Sequence, residues 1–504
     1  MSAARSRWEP LTAAGLGALQ TLAFVHTWAW ALPIATLAWL VWRLDAATSR
    51  RAMLLGWCYG TAWMCAGVWW LYISMHRYGG LPAPLAAGAV LALSAALSLL
   101  LAAAAAGYAR WRRGTASDAT LFAALWLLAE LARGVLFTGF PWLSTGYSQV
   151  DSPWAALAPW VGVYGMGAVL AAAAVGVVRL LRSRGRAWGV GLTVLALVSG
   201  THVAKVDFTQ PSGELDFALL QTNVKQDEKF AAEHLPETLA WLAREMLAAR
   251  VDLVVVPETA VPLLPFQLKD MAPGYWDMLR EHFADKGASR ARAALVGVPL
   301  GDFDRGYTNS VVGLSAGAEY RYDKWHLVPF GEFIPPGFRW FTELMNIPLG
   351  DFSRGVPNPP SFAAAGQRVA PNICYEDLFG EELARRFVDP AAAPTVLANM
   401  SNIGWFGDTI AVGQHLNISR LRTLELQRPM LRATNTGATA AIDHRGVVTA
   451  QLSPYTQGVL QGRVQGRTGV TPFAWWAARF GLWPLALGAL VVIAGVILSR
   501  RRDV

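Results

Sequence analysis

The chain has 504 residues, more than one ordinary domain holds, with 54% hydrophobic and only 15% charged residues, against roughly a quarter charged in a typical soluble domain. Its net charge of +8 is gathered in arginine clusters at the ends of apolar runs, which reads as membrane topology and excludes a nucleic-acid footprint, since that needs a basic face on a folded domain. Three cysteines, Cys58 and Cys65 in one apolar run and Cys374 alone, exclude a disulfide framework.

Acidic residues are sparse in 1–204 and 479–498, whereas 205–465 has the composition of a soluble domain. A helix needs about 20 apolar residues to cross a bilayer. Residues 11–44 are long for one crossing and short for two. Arg5 and Arg7 precede this run and Arg43, Arg50 and Arg51 follow it. Positive clusters belong on the cytoplasmic side, so an even number of crossings is expected, as two short helices breaking near 26–33. Further spans are expected at 52–75, 81–109, 119–137, 154–178, 188–204 and 480–498. The arginine clusters at 110–113, 179–186 and 500–502 then alternate with loops poor in positive charge. Seven crossings lead to residue 205, so the soluble part lies outside the cytoplasm and an eighth helix returns inside. The first run is expected to act as an uncleaved anchor. Glu130 and Arg133, three apart on one helix face, are expected to pair, with a substrate role as the alternative. Gly56 and Gly60 have helix-packing spacing, and Trp475, Trp476 and Trp483 suit an interfacial belt.

The soluble part alternates strand-like and helix-like segments. Strands are expected at 216–221, 252–256, 293–298, 310–314, 368–373 and 394–398. Helices are expected at 233–250, 381–388 and 414–427, and a hairpin at 438–452. Continuously apolar strands imply sheets covered on both faces. Three strands end at Glu258, Cys374 and Asn399, where a rigid scaffold presents side chains. Lys324 is expected in a loop over the same edge.

Val-Pro-Glu258-Thr, Tyr-Asp-Lys324-Trp-His-Leu-Val-Pro-Phe-Gly-Glu332 and Asn-Ile-Cys374-Tyr-Glu376 resemble the Glu, Lys and Cys signatures of the nitrilase superfamily. Phe330-Gly331-Glu332-Phe333-Ile334-Pro335, Phe352-Ser353-Arg354-Gly355, and Thr138-Gly139-Phe140-Pro141-Trp142 with Gly146-Tyr147-Ser148-Gln149 are similar to its membrane branch, the apolipoprotein N-acyltransferases. The resemblance implies an α-helical polytopic membrane bundle of eight spans plus an α/β domain built as an αββα sandwich. The expected divisions are 1–204, 205–466 and 467–504, with the catalytic domain in the periplasm and the helices in the bacterial inner membrane. The implied reaction moves a fatty acyl group from a phospholipid to the α-amine of a diacylglyceryl-cysteine apolipoprotein, through a thioester. No cofactor, metal or nucleic acid is expected, and a monomer is. The chain departs from the family at Phe230, where a tryptophan is usual, and at Ile403 in Ser401-Asn402-Ile403-Gly404-Trp405-Phe406-Gly407, where an aspartate is usual.

Acyl transfer through a thioester needs a nucleophile, a base and a cation for the tetrahedral oxyanion. Cys374 is the nucleophile on this reading, against a buried structural cysteine. Glu258 takes the thiol proton and later the amine proton. Lys324 stabilises the oxyanion and lowers the Cys374 pKa. Glu332 and Glu376 are candidates for orienting Lys324 or the amine, with a structural role equally open. Tyr375 and Asn309 are expected as packing or positioning residues. Each buried methylene is worth about 0.8 kcal/mol, so acyl chains must stay in an apolar setting while the ester reaches Cys374. Phe140, Trp142, Trp405, the aromatics of 333–341 and Phe230 are candidates for that contact, with core packing as the alternative. Gly313-Leu314-Ser315-Ala316-Gly317 matches a serine-hydrolase elbow, but its flanks read strand–turn–strand where that elbow needs a following helix. A membrane-tethered amidase and a polytopic transporter or sensor remain as competing readings.

Overall fold

A computed structural model describes residues 7–115, 117–182, 206–285, 292–335, 337 and 352–502. The chain falls into two compact units, one of Met1–Tyr72, Pro82–Val206 and Phe480–Val504, the other of Ile73–Leu81 and Asp207–Arg479.

The first unit is helical. Its first apolar run breaks into Glu9–Gln20, continued by a further α-helical turn at Leu22–Val25, and Leu32–Leu44, and Pro33 occupies the first turn of the last of these, where its missing N–H costs nothing. The two longer helices have 12 and 13 residues, roughly 18–20 Å of rise against a hydrocarbon core of about 30 Å. By length and composition, three helices among the described residues can cross a membrane: Ala83–Trp111, Ser117–Thr138 and Pro153–Arg182. A fourth is added if the bent pair Pro472–Phe480 and Trp483–Ser499 counts as one span. The expected eight is therefore not reached among the described residues; the 188–204 span lies outside them, as do 338–341 of the aromatic segment. Gly56 and Gly60 do pack a helix: a Cβ on Gly56 would lie 2.7 Å from the Ala105 Cβ, and one on Gly60 2.9 Å from Ser98. Glu130 and Arg133 are both buried and lie 3.6 Å apart. Glu130 also accepts the Thr145 N–H at 2.6 Å. The pair ties its helix to the 138–149 segment, as a buried charge without water requires.

The second unit is a four-layer sandwich. One six-stranded sheet has the order β12-β1-β2-β3-β4-β5, formed by β1 (Thr209–Gln221), β2 (Leu253–Val255), β3 (Ala293–Asp302), β4 (Gly306–Leu314), β5 (Tyr320–Asp323) and β12 (Gly458–Gly469). The other has the order β11-β10-β9-β8-β7-β6, formed by β6 (Phe362–Ala364), β7 (Gln367–Ile373), β8 (Val396–Ser401), β9 (Met430–Thr434), β10 (Ala440–Ile442) and β11 (Val448–Gln451). Strand alternation sorts the core. Leu253 and Val255 enter the space between the sheets with Leu295, Ile373 and Met400. Val254 and Val256 turn to the opposite face, under helices Leu235–Ala248 and Tyr275–Ala284. Helices Ile410–Leu426 and Pro472–Phe480 cover the far face of the second sheet.

Two expectations change. Asn399 lies inside β8, because that strand runs on through three hydrogen-bonded polar or sulfur-bearing positions to Ser401. Lys324 directly follows β5, and its N–H donates to the Asn309 carbonyl at 2.9 Å, so a strand end holds it instead of a loop. The Gly313–Gly317 run joins antiparallel β4 and β5, so Ser315 sits on a hairpin and not on an elbow.

Candidate active site

Glu258 follows β2 through Val256, whose N–H donates to Leu295 of β3 at 2.9 Å. The chain then turns, with Thr259 in the left-handed region at φ 48°. Gly297 of β3 makes room: a Cβ there would lie 2.1 Å from the Pro257 carbonyl oxygen and 2.9 Å from the Glu258 Cα. The Glu258 carboxylate is fixed from three sides. Its Oε1 accepts from Asn309 Nδ2 at 2.7 Å and from Lys324 Nζ at 3.4 Å, and its Oε2 accepts the backbone N–H of Asn402 at 2.7 Å.

Lys324 is 1% exposed. Its ammonium donates to Glu332 Oε1 at 2.9 Å as well as to Glu258. Burial alone would lower its pKa, but the charges of Glu332, Glu258 and Cys374 outweigh burial and raise it above the ordinary lysine value. Glu332 is itself tethered, accepting from Asn309 Nδ2 at 2.8 Å and from the Val328 N–H at 2.8 Å.

Cys374 ends β7 and opens the turn Cys374–Leu378, with φ 51° at the cysteine itself. A non-glycine residue there costs on the order of 1–3 kcal/mol and persists only where its surroundings enforce it. Glu376 supplies much of that enforcement. It accepts the Ile373 N–H at 2.7 Å, the Trp325 N–H at 2.8 Å, the His326 N–H at 3.2 Å and the Tyr322 hydroxyl. One carboxylate thus staples the cysteine turn to the segment bearing Lys324. Its four lone-pair positions are all occupied, which suits a structural tie and leaves no position for proton transfer. Behind the turn, Arg432 of β9 donates to Asn399 at 3.1 Å and to the His415 Nδ1 at 2.6 Å. His415 Nε2 faces the Cys374 carbonyl at 3.3 Å. Burial and the Arg432 charge hold His415 well below its usual pKa, so its neutral ring donates there from Nε2.

Lys324 lowers the Cys374 pKa, as expected, but larger effects oppose it. Burial first, and the Glu258 charge second, push the Cys374 thiol up to about 12, and Lys324 only partly opposes them.

The predicted triad and Asn309, Glu332 and Glu376 therefore converge on one cluster. Tyr375 is buried beside the rings of His326 and Phe379. Phe230 is 53% exposed. Trp405 meets Tyr78 edge-on at 5.7 Å between ring centres, and Arg77 lies 3.5 Å from Asp227. Phe140 and Trp142 belong to the helical unit, where Trp142 is buried against Trp70 at 4.7 Å. Sequence reasoning missed the Asn402 N–H, although Asn402 stands in the 401–407 motif. It also missed His415, Arg432 and Lys229, which only the fold draws in. Among the described residues no group of acidic, histidine and cysteine side chains is arranged to hold a metal.

The carbon–nitrogen hydrolase family model matches residues 217–473. That stretch contains Glu258, Lys324 and Cys374 together with Asn309, Glu332 and Glu376. The model of the apolipoprotein N-acyltransferase N-terminal domain matches residues 16–176. The chain is 50% identical over 508 residues to apolipoprotein N-acyltransferase of Verminephrobacter eiseniae, covering 94% of each chain. It is 46% identical to that of Ralstonia nicotianae, over 99% of this chain and 95% of the other, and 43% identical to that of Bordetella bronchiseptica, over 98% and 97%. The chain belongs to the apolipoprotein N-acyltransferase family.

Proposed function

We propose that this enzyme transfers a fatty acyl group from a membrane phospholipid to the N-terminal α-amine of a diacylglyceryl-cysteine lipoprotein, in two half-reactions joined by a Cys374 thioester. One observation carries the mechanism. Of the four lone-pair positions of the Glu258 carboxylate, Asn309, Lys324 and the Asn402 N–H fill three. The fourth, on Oε2, is left for the proton of the thiol, whose pKa Glu258 and burial push up.

A thiol with so high a pKa does not ionise alone, so sulfur attack and proton transfer to Glu258 go together. The sulfur adds to the ester carbonyl carbon, and the oxyanion that develops faces the Lys324 ammonium. The ester C–O bond then breaks, and Glu258 returns the proton to the leaving glyceryl oxygen. In the second half-reaction the amine adds to the thioester, Glu258 accepts its proton, the C–S bond breaks, and the sulfur recovers the proton. Lys324 stays charged throughout, because two carboxylates hold its proton. The enzyme acts in the bacterial inner membrane as a monomer. The alternating arginine clusters support eight crossings and a periplasmic catalytic part spanning 205–466.

Phospholipid mixed with the purified enzyme should leave an acyl adduct on Cys374, seen by mass spectrometry and released by hydroxylamine. Glu258→Gln should block its formation. An adduct of equal yield on Cys374→Ala would overturn the assignment.

A further inference from the structure

A second lysine reaches the same cluster. Lys229, in the loop before helix Leu235–Ala248, is 5% exposed. Its Nζ donates to the Glu258 backbone carbonyl at 3.1 Å. That bond uses one of three donors of an ammonium, and among the described residues no carboxylate pairs with it. The charged side chains of its own loop are engaged elsewhere: Lys225 with Glu228 at 2.7 Å, and Asp227 with Arg77 at 3.5 Å. The titratable groups it faces are Glu258 and Cys374. The site thus holds two buried lysines in opposite circumstances. Lys324 is clamped by two carboxylates and must remain an ammonium. Lys229 sits against a neutral carbonyl, and an unpaired buried ammonium is costly.

The second half-reaction has a use for a neutral lysine. An α-amine titrates near 7.7–8.0, so at neutral pH the acceptor arrives largely as an ammonium, without a lone pair. Between that ammonium and the product amide the nitrogen sheds two protons. Glu258 takes one and hands it to the departing sulfur, which leaves the other without an acceptor. We propose that Lys229 is a further catalytic residue: in the fraction of enzyme in which its amine is uncharged, it takes the first proton from the incoming α-ammonium and so generates the nucleophile beside the thioester. One N–H bond of the α-ammonium breaks with its electron pair staying on that nitrogen, a new N–H bond forms on Nζ, and the positive charge passes to Lys229. Solvent collects the proton after the product leaves. Burial lowers the Lys229 pKa to about 8, the charges of Glu258 and Cys374 opposing it, which matches the donor it would serve.

This inference rests on the thioester route, and its test separates the two. The full-length enzyme in detergent or vesicles is loaded with phospholipid, freed of excess donor, and given either a diacylglyceryl-cysteine peptide or hydroxylamine, which is uncharged at neutral pH. Lys229→Arg keeps a cation but cannot accept a proton, and Lys229→Met removes both functions. In each, peptide transfer at pH 7 should fall about five- to tenfold and recover to the parental rate by about pH 9, as solvent supplies the free amine, while hydroxylamine cleavage of the same adduct stays within about twofold of the parent. Equal losses with both nucleophiles would make Lys229 a structural prop, and unchanged peptide transfer would remove it from the reaction; either result overturns the proposal. Failure of the unaltered enzyme to form an adduct would sink the thioester itself, and the role of Lys229 with it.

Discussion

The amide nitrogen of Asn309 bonds Glu258 and Glu332 at once, at 2.7 and 2.8 Å. With Lys324 it holds two carboxylates side by side, so these three side chains set two acids against one ammonium. Asn309 lies on β4, and the carbonyl of the same residue anchors the Lys324 N–H. A single strand position thereby sets the spacing of base and cation.

Replacing that amide tests the arrangement. Asn309→Ala removes two hydrogen bonds to charged groups, each worth about 1.5–3 kcal/mol, and should slow acyl-enzyme formation about 10–100-fold. Asn309→Asp adds a third carboxylate and should be slower still at pH 7. Single-turnover acylation monitored by mass spectrometry checks both, and an aspartate variant as fast as the parent would contradict the cluster.

Cys374 should be sluggish toward alkylating agents. A thiol pushed up to about 12 has a smaller thiolate fraction at every pH below that value than an ordinary cysteine near 8.5. Iodoacetamide labelling of the resting enzyme should rise about tenfold per pH unit through pH 9–10 without levelling. Glu258 raises that pKa, so Glu258→Gln should label faster than the parent at pH 8 while losing acylation. Slower labelling would mean that Glu258 assists alkylation as a base.

Lys324→Met should reduce acylation about 100–1,000-fold, the usual loss on removing an oxyanion donor. It also leaves Glu258 and Glu332 buried beside each other without a counter-charge, so folding stability should drop by about 3–5 kcal/mol. Lys324→Arg should recover stability better than rate, because its planar fork presents charge differently from an ammonium. Thermal unfolding read beside single-turnover kinetics separates the two losses.

Gly297→Ala places a methyl group against the Pro257 carbonyl, where the structure leaves 2.1 Å. Overpacking of this kind costs about 1–3 kcal/mol, and β3 or the Glu258 turn must shift to relieve it. Activity should fall further than stability accounts for, and a variant with parental kinetics would show that the turn tolerates displacement.

Much of the sandwich was legible because its strands are short, apolar and bounded. The run at 252–256 declares a buried strand, and alternation within it sends Leu253 and Val254 to opposite cores. Asn399 was misplaced because reading stopped where apolar residues stopped, whereas β8 continues through side chains satisfied by Asn372 and Arg432. Lys229, His415 and Arg432 gave no sequence signal, since a lone basic residue ordinarily lies at the surface, and only the packing of distant segments buries these. The number of crossings was the least legible feature, since arginine parity says only whether it is odd or even. The break expected near 26–33 lies between helices Glu9–Gln20 and Leu32–Leu44, which have 12 and 13 residues against the roughly 20 of a straight crossing.

Residues 73–81 interrupt the helical half in sequence, yet they cluster with the catalytic unit, bringing Tyr78 to the ring of Trp405 and Arg77 to Asp227. A fragment cut free at residue 206 would lose nine residues that cluster with it, and with them the ring that meets Trp405 and the guanidinium beside Asp227. Anchor and catalyst are thus interleaved along the polypeptide, so deleting the front half also removes part of the catalytic unit.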